Sequence, residues 1–230
     1  DVRRRDLARL AEIRARRAAE ADAYFQANAE DWDAIRSLHV DERMVEARLA
    51  AMAPGTSIGD YLDIGVGAGR ILELLGPRAE RAAGLDISPA MLKVARDRIA
   101  AAGLSHCSLR HGDLYAAPFE DARFDLITAH LVLHYLDNPG RAVREMSRML
   151  RAGGEAIIAD FAPHELDRLR EQHAHRRLGF ATEEVARWFA EAGLELIQEE
   201  RLAGDPLTVC IWRARKPARK PGAAAASVAA

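Results

Sequence analysis

The stretch from Asp63 to Arg70, which reads Asp-Ile-Gly-Val-Gly-Ala-Gly-Arg, constrains the fold of this chain more than any other feature. Glycines at alternate positions after an apolar run predict a tight turn from a strand into a helix, where a ligand can approach bare backbone. A second acid, Asp86, ends the next apolar run, 17 residues after Gly69. Such an acid can accept hydrogen bonds from both hydroxyls of a ribose. Together these features predict a nucleoside-binding site.

The spacing of the glycines narrows the choice of nucleoside. Counted from Gly65, the dinucleotide pattern G-x-G-x-x-G/A requires a small residue at position 70, where this chain has Arg70. Asp63, two residues before Gly65, disfavours a pyrophosphate at the turn and favours a cationic ligand. S-adenosylmethionine meets these requirements, because it carries a ribose, an ammonium and a sulfonium. A dinucleotide-dependent oxidoreductase is disfavoured, and an unrelated tight turn stays open on this motif alone.

Composition and length exclude several classes of protein. The chain has 230 residues, enough for one domain with modest extensions, and its net charge of -2 gives no indication of nucleic-acid binding. No apolar run approaches the roughly 18 residues of a membrane span, and no secretory signal is visible, so we expect a cytoplasmic protein without membrane contact. Cys107 and Cys210 stand in apolar runs, which predicts buried small hydrophobes rather than a disulfide or metal site.

The segment 1–53 contains no glycine or proline and is predicted to be a helical connector or lid. Seven arginines lie among its first 17 residues, which is typical of a solvated amphipathic helix but also of one that faces a partner or lies beside DNA. Tyr24, Phe25 and Trp32 then form an aromatic cluster, for which packing and a lid over a pocket both stay open. The tail 215–230 is basic, then alanine-rich, and is predicted to be disordered.

Strand and helix patterns alternate from Pro54 onward. The predicted strands are 61–64, 81–86, 107–110, 124–129 and 155–160, followed by a closing hairpin of 194–199 and 207–214. The predicted helices are 68–75, 89–102, 139–150 and 182–192. This alternation predicts an α/β fold with a mostly parallel sheet and helices on both faces. We therefore assign residues 54–214 to one domain.

The order of these segments resembles the class I S-adenosylmethionine-dependent methyltransferases, which have a Rossmann-like seven-stranded sheet with a C-terminal antiparallel hairpin. The resemblance covers about residues 54–214 and rests on further segments: Gly112-Asp113-Leu114, Phe124-Asp125-Leu126-Ile127, Leu133-His134-Tyr135-Leu136 and Gly153-Gly154. Ala152 replaces the usual proline of the family's Leu-Arg-Pro-Gly-Gly turn. We expect this departure to loosen the turn without changing the chemistry.

The flanking segments are similar to one particular group, the methyltransferase-like domains fused behind a winged-helix DNA-binding domain in bacterial ArsR-type regulators. This resemblance rests on the segments Tyr24–Trp32, Ser37–His39, Asp160–His164 and Glu171–Phe180. It implies that a DNA-binding domain precedes residue 1, and the chain begins at Asp1 rather than methionine, which leaves a longer protein open. The first helix would then be a connector, and a homodimer is plausible.

The resemblance to the methyltransferases also implies the residues that hold the cofactor. The glycine turn would face the methionine part, Asp63 would orient its ammonium, and Asp86 would hold the ribose. Ile87 and Leu114 would lie against the adenine, with Asp113 at its amino group. The implied cofactor-binding residues are Asp63, Gly65, Val66, Gly67, Gly69, Asp86, Ile87, Gly112, Asp113, Leu114 and His130.

The acceptor side is less well defined by the sequence. His130, His134, Tyr135 and Asp160 are the candidate catalytic residues, and a histidine there would act as a base near neutral pH or be a structural hydrogen-bonded residue. His164, His173 and His175 lack the thiols and the spacing that predict a metal site. The two positive charges of Arg176-Arg177 keep an anionic substrate among the alternatives. Arsenite methylation is rejected, because two scattered cysteines cannot hold the metalloid.

Two functions follow from these patterns. The first is a methyltransferase acting on a small-molecule acceptor, with S-adenosylhomocysteine as its product. The second is a non-catalytic module that binds S-adenosylmethionine or S-adenosylhomocysteine and reports their levels to a fused DNA-binding domain. Both predict cofactor binding, and only the first predicts turnover.

Overall fold

The computed structural model describes residues 5, 9, 12, 16, 20, 21, 23–36 and 41–218. The N-terminal part has a helical stretch over residues 23–28, then α1 (Trp32–Arg36) and α2 (Glu42–Met52). The remaining helices are α3 (Arg70–Leu75), α4 (Pro89–Ala101), α5 (Pro139–Met149), α6 (Arg168–Gln172) and α7 (Thr182–Glu191). Three 3-10 turns cover Gly76–Arg78, Leu114–Ala116 and Leu133–Tyr135.

Seven strands form a single sheet, as the sequence predicts. They are β1 (Ile58–Ile64), β2 (Ala79–Asp86), β3 (Cys107–His111), β4 (Phe124–His130), β5 (Leu150–Phe161), β6 (Glu195–Leu202) and β7 (Val209–Arg215), in the spatial order β3-β2-β1-β4-β5-β7-β6. Strands β1 to β5 pair in parallel, whereas β7 pairs antiparallel with both β5 and β6. The predicted Rossmann-like fold with its terminal antiparallel hairpin is therefore confirmed.

The core lies on both faces of this sheet. Because side chains alternate along a strand, Leu126 of β4 belongs to one buried cluster and Ile127 to the other. One cluster includes Met146 of α5, and the other includes Leu49 of α2. Burial of apolar side chains on both faces is the pattern expected of parallel strands between helical layers. This burial holds the strands in place between the helices, so the loops at the strand ends remain available for a binding site.

Several boundaries differ from the prediction. Strand β1 begins at Ile58 rather than at residue 61, and β6 ends at Leu202 rather than at residue 199. Segment 1–53 was expected to be helical throughout, but residues 29–31 break the helix and Asp41 begins a new one by accepting a hydrogen bond from the Arg43 N–H. Aspartate favours such caps over helix interiors, so the break needs no glycine or proline. Strand β5 begins at Leu150 rather than at residue 155, because Leu150 already pairs with Phe124.

Several predictions fall on residues outside the described part of the chain. These are most of the basic first helix, the segment Ser37–His39 and the tail beyond residue 218. Within the described part, the chain continues as strand to Arg215, and the Lys216 N–H donates to the Gly154 carbonyl at 2.8 Å. The start of the tail is thus bonded to the glycine pair that precedes the buried part of β5.

Gly179 holds the segment between α6 and α7 against the end of β5. Its φ is +81°, and a Cβ there would lie 2.0 Å from the Ala162 carbonyl oxygen, closer than any Cβ contact allows. Gly103, after α4, has a similar φ of +70° but no atom within 4 Å of the same position. Both positions disfavour an alanine because of their backbone conformation, but only Gly179 also has a close neighbour. Substitutions at the two positions therefore measure the two costs separately.

We predict that Gly179→Ala destabilises the protein more than Gly103→Ala. The left-handed conformation alone costs an alanine roughly 1–2 kcal/mol, and the contact with backbone at Gly179 adds about 1–3 kcal/mol. Urea denaturation of the two variants and the parent chain measures the difference. Equal losses of unfolding free energy in the two variants would show that the close approach to β5 contributes nothing.

Candidate functional site

A cavity of about 800 Å³ lies at the carboxyl ends of the parallel strands. Its walls include Asp63–Ala68, Leu85–Ile87, His111–Tyr115 and His130–Val132. This volume lies within the range of roughly 300–1,000 Å³ that is usual for small-molecule sites. Every residue predicted to hold the cofactor lines this cavity except Gly69.

Gly69 instead has a packing role. It is the N-cap of α3, and a Cβ there would lie 3.1 Å from Cα of Ala95 in α4. The third glycine of the turn therefore allows two helices to approach closely. The sequence pattern alone does not separate this role from ligand contact.

Asp86 is anchored beside the glycine turn by backbone donors. The Gly67 N–H donates to Oδ2 at 2.8 Å, and the Ser88 N–H donates to Oδ1 at 2.9 Å. Burial raises the pKa of the Asp86 carboxyl above its ordinary value, and this outweighs the opposing effect of those backbone donors. The two hydrogen bonds thus fix the orientation of the side chain, and its burial makes the protonated form easier to reach than in a free aspartate.

Two neighbours of Asp86 complete this part of the wall. Ile87 has 58% of its surface exposed, although it is a large apolar residue at the cavity. Across from it, Asp113 begins the 3-10 turn Leu114–Ala116 and accepts a hydrogen bond from the Tyr115 N–H at 2.9 Å. An exposed apolar surface beside ordered acceptors is suited to a flat heterocycle with an amino group.

An aromatic cover from the N-terminal segment forms another wall. A Cβ on Gly67 would lie 3.3 Å from the indole nitrogen of Trp32, so this ring sits directly on the glycine turn. Phe25 contacts Trp32 and Tyr135 edge to face, with ring centroids 5.4 Å and 5.0 Å apart. The Tyr24 hydroxyl lies 2.8 Å from Nδ1 of His173. The aromatic cluster of the sequence is therefore a cover of the cavity as well as packing.

The four candidate catalytic residues divide into two pairs. His130 and Tyr135 line the cavity, and Nε2 of His130 lies 3.5 Å from a carboxylate oxygen of the buried Glu42. Among the residues that line the cavity, His134 and Asp160 do not occur. Instead Nδ1 of His134 lies 2.7 Å from Oδ1 of Asp160, and both side chains are at most 1% exposed.

The pair of His134 and Asp160 connects structural elements. Asp160 also accepts the Leu133 N–H at 2.9 Å, which ties the turn after β4 to β5. The ring of His134 stacks on His175 at a centroid distance of 4.1 Å. These contacts hold the segment that carries Tyr135 in place.

Some residues at the cavity have no clear pattern in the sequence that indicates a functional role. Arg176 forms a close ion pair with Asp137, and both line the cavity beside Tyr115. Arg176 had a weak signal in the Arg176-Arg177 pair, whereas Tyr115 had none. Glu42 is distant from His130 in sequence, so no local pattern relates the two residues.

No group of three or more His, Cys, Asp or Glu side chains among the residues that the structure describes is arranged to hold a metal ion. None of the helices in this part of the chain has the length and apolar character that crossing a membrane requires.

The chain is similar to methyltransferases in its sequence. The family described as "Methyltransferase domain" matches residues 62–158. The chain is 33% identical over 127 residues to the demethylmenaquinone methyltransferase of Listeria monocytogenes serotype 4a, covering 54% of this chain and 52% of that protein. It is also 33% identical over 151 residues to the malonyl-[acyl-carrier protein] O-methyltransferase of Serratia marcescens, covering 66% and 56%. The chain thus spans about half the length of these curated relatives.

A solved structure extends the comparison to the fold. The N-methyltransferase NodS from Bradyrhizobium japonicum, in complex with S-adenosylhomocysteine, is similar with a TM-score of 0.63 and 25% identity. The similarity covers 76% of this chain and 87% of NodS. The chain therefore has the seven-stranded Rossmann-like fold of the methyltransferases, and its residues 62–158 match the methyltransferase-domain family.

Proposed function

We propose that the chain binds S-adenosylmethionine and transfers the methyl group to a small-molecule acceptor. One observation carries this proposal: three acids at the carboxyl ends of three neighbouring strands line one cavity together with the glycine turn. They are Asp63, Asp86 and Asp113. The similarity to methyltransferases, one of them in complex with S-adenosylhomocysteine, supports it.

The residues of the cavity suit the parts of this cofactor. Asp86 accepts the two ribose hydroxyls, because each of its anchored oxygens retains capacity for a further hydrogen bond. The exposed surface of Ile87 packs against one face of the adenine, and Asp113 accepts from its amino group. Asp63 faces the ammonium of the methionine part, beside the backbone of Gly65, Val66 and Gly67.

S-adenosylmethionine, when bound, supplies a methyl group that the positive sulfur already activates. The chain itself has to position the acceptor in line with that group and exclude water. Phe25, Trp32 and Tyr135 perform the second task, because their rings form an apolar cover over the turn. The acceptor then enters beside Tyr135 and His130.

We assign the role of general base to His130. With S-adenosylmethionine in the cavity, His130 would take the proton that the acceptor atom loses on receiving the methyl group, and S-adenosylhomocysteine would be the product. The carboxylate of Glu42, 3.5 Å away, stabilises the positive charge that the ring gains. His134 and Asp160 act only as supports of the turn, since neither lines the cavity.

We propose in addition that the chain belongs to a cytoplasmic ArsR-type regulator and works there as a dimer. The supporting observation is that the aromatic cover comes from the N-terminal segment, the part that would lead to a preceding DNA-binding domain. A ligand under Phe25 and Trp32 would change the position of that segment. The same observation favours the sensor as the second candidate function.

Asp86→Asn should abolish most of the cofactor affinity. We expect the parent chain to bind S-adenosylmethionine and S-adenosylhomocysteine, and the variant to bind both about 10- to 100-fold more weakly, because hydrogen bonds to a charged acceptor are lost. Calorimetric titration measures both affinities. Asp121→Asn, at an exposed acid paired with Arg148, is the matched control.

Each outcome of that titration has a clear meaning. No binding of either nucleoside by the parent chain contradicts the proposed function. Unchanged affinity in Asp86→Asn contradicts the site, and a strong preference of the parent for S-adenosylhomocysteine favours the sensor over the enzyme.

Cofactor affinity should fall as the solution becomes acidic. The pKa of Asp86 is raised above 3.8, so protonation removes its negative charge at a higher pH than in a free aspartate, and a neutral carboxyl accepts the ribose hydroxyls more weakly. Titrations at successively lower pH, within the range in which the parent chain stays folded, check this direction. The loss should be absent in Asp86→Asn, and the same loss in that variant would assign it to another group.

His130→Asn should lower turnover far more than it lowers affinity. We expect kcat to fall about 10²- to 10⁴-fold, as is usual when a positioned base is removed, with a much smaller loss of S-adenosylhomocysteine affinity. Formation of S-adenosylhomocysteine over a panel of phenols, amines and carboxylic acids measures kcat. His106→Asn is the control, because His106 bonds to the Gly76 carbonyl outside the cavity, and equal kcat in the two variants would contradict the assignment.

A further inference from the structure

We propose that Tyr61 and Thr128 are positioning residues that orient Asp63 toward the amino-acid part of the cofactor. The inference rests on the proposed function, because the ammonium of that part is the group that Asp63 would bind. It assigns a role to a buried hydroxyl pair inside the sheet, directly behind the carboxylate that lines the cavity.

The three side chains form a continuous chain of short hydrogen bonds. The Tyr61 hydroxyl lies 2.7 Å from Oγ1 of Thr128, and Oγ1 of Thr128 lies 2.6 Å from Oδ1 of Asp63. Tyr61 and Thr128 are fully buried, and Asp63 is 2% exposed. Asp63 alone of the three lines the cavity.

The register of the sheet makes this chain of bonds possible. Asp63 of β1 and Thr128 of β4 are paired partners in the parallel ladder. Tyr61 lies two residues before Asp63, so both side chains project from the same face of β1. The hydroxyls therefore approach Asp63 from within the core while the cavity lies at the strand's end.

The direction of the hydrogen bonds follows from the number of protons. A carboxylate only accepts, so the single proton of the Thr128 hydroxyl is donated to Asp63. Thr128 then accepts, and the Tyr61 hydroxyl donates. Burial, followed by the nearby charge of Asp63, raises the pKa of Tyr61 well above its ordinary value, so its hydroxyl keeps the proton it donates.

This arrangement fixes the orientation of a buried charge. A carboxylate near the core is costly unless donors compensate for the lost water, and Thr128 supplies one such donor from the next strand. A carboxylate has about four acceptor positions, so one oxygen held from inside leaves capacity toward the cavity. A ligand ammonium in the cavity would add a further donor.

The proposal predicts which part of the ligand should respond. 5′-Deoxy-5′-methylthioadenosine keeps the adenine, ribose and sulfur but lacks the ammonium and the carboxylate. If Tyr61 and Thr128 act only through Asp63, removing their hydroxyls should weaken the binding of S-adenosylhomocysteine and leave the binding of methylthioadenosine unchanged. A general loss of structure would weaken the binding of both nucleosides.

The test is calorimetric titration of both nucleosides against the parent chain and three variants. Tyr61→Phe and Thr128→Val each remove one hydroxyl at nearly constant shape, and we expect about 3- to 10-fold weaker S-adenosylhomocysteine binding, with methylthioadenosine within about twofold of the parent. Thr128→Ser restores the hydroxyl and should restore the affinity for S-adenosylhomocysteine.

Thr182→Val is the matched control. Thr182 accepts from the Trp212 indole at 3.0 Å and lies outside the cavity, so this change removes a comparable hydroxyl and should leave both affinities unchanged. Equal weakening of both nucleosides in Tyr61→Phe and Thr128→Val overturns the inference, as does unchanged S-adenosylhomocysteine binding. If the parent chain binds neither nucleoside, the proposed function fails and the inference fails with it.

Discussion

The parallel pairing of β1 with β4 is the constraint on which the rest of the structure depends. It sets Asp63 opposite Thr128 and Ile64 opposite Ala129, and β2 pairs with the other edge of β1 in the same direction. The carboxyl ends of all three strands therefore meet at one edge of the sheet. One cavity lies there, because the loops that follow β1, β2, β3 and β4 line the same space.

The buried clusters on the two faces explain why that edge is stable enough to hold a ligand. Each strand of the centre contributes alternate side chains to both clusters, so a shift of β4 by one residue would move Leu126 and Ile127 to the wrong faces. The register that places Thr128 beside Asp63 is therefore enforced by apolar burial along the whole strand. The positions of these two side chains are therefore determined by the packing of the core.

The sequence predicted what depends on local backbone and missed what depends on distant contacts. The turn at Gly65 and Gly67 and the acid at Asp86 were predictable, because a strand, a tight turn and a strand end each leave a local pattern. The packing of Gly69 on Ala95 and the proximity of Glu42 to His130 arise only when separate elements meet. The early start of β5 was missed because its first pair, Phe124 with Leu150, precedes the glycines.

The three acids of the cavity are held in different ways, and this difference bears on selectivity. Asp63 accepts from a side-chain hydroxyl of a neighbouring strand and Asp86 from the backbone N–H groups of Gly67 and Ser88, whereas Asp113, within the described residues, accepts from the Tyr115 N–H of its own turn. Strands within a packed sheet move less than loops. The ends of the cavity that would receive the ammonium and the ribose are therefore the more rigid. The end that would receive the adenine, beside the exposed Ile87, is less constrained by the sheet.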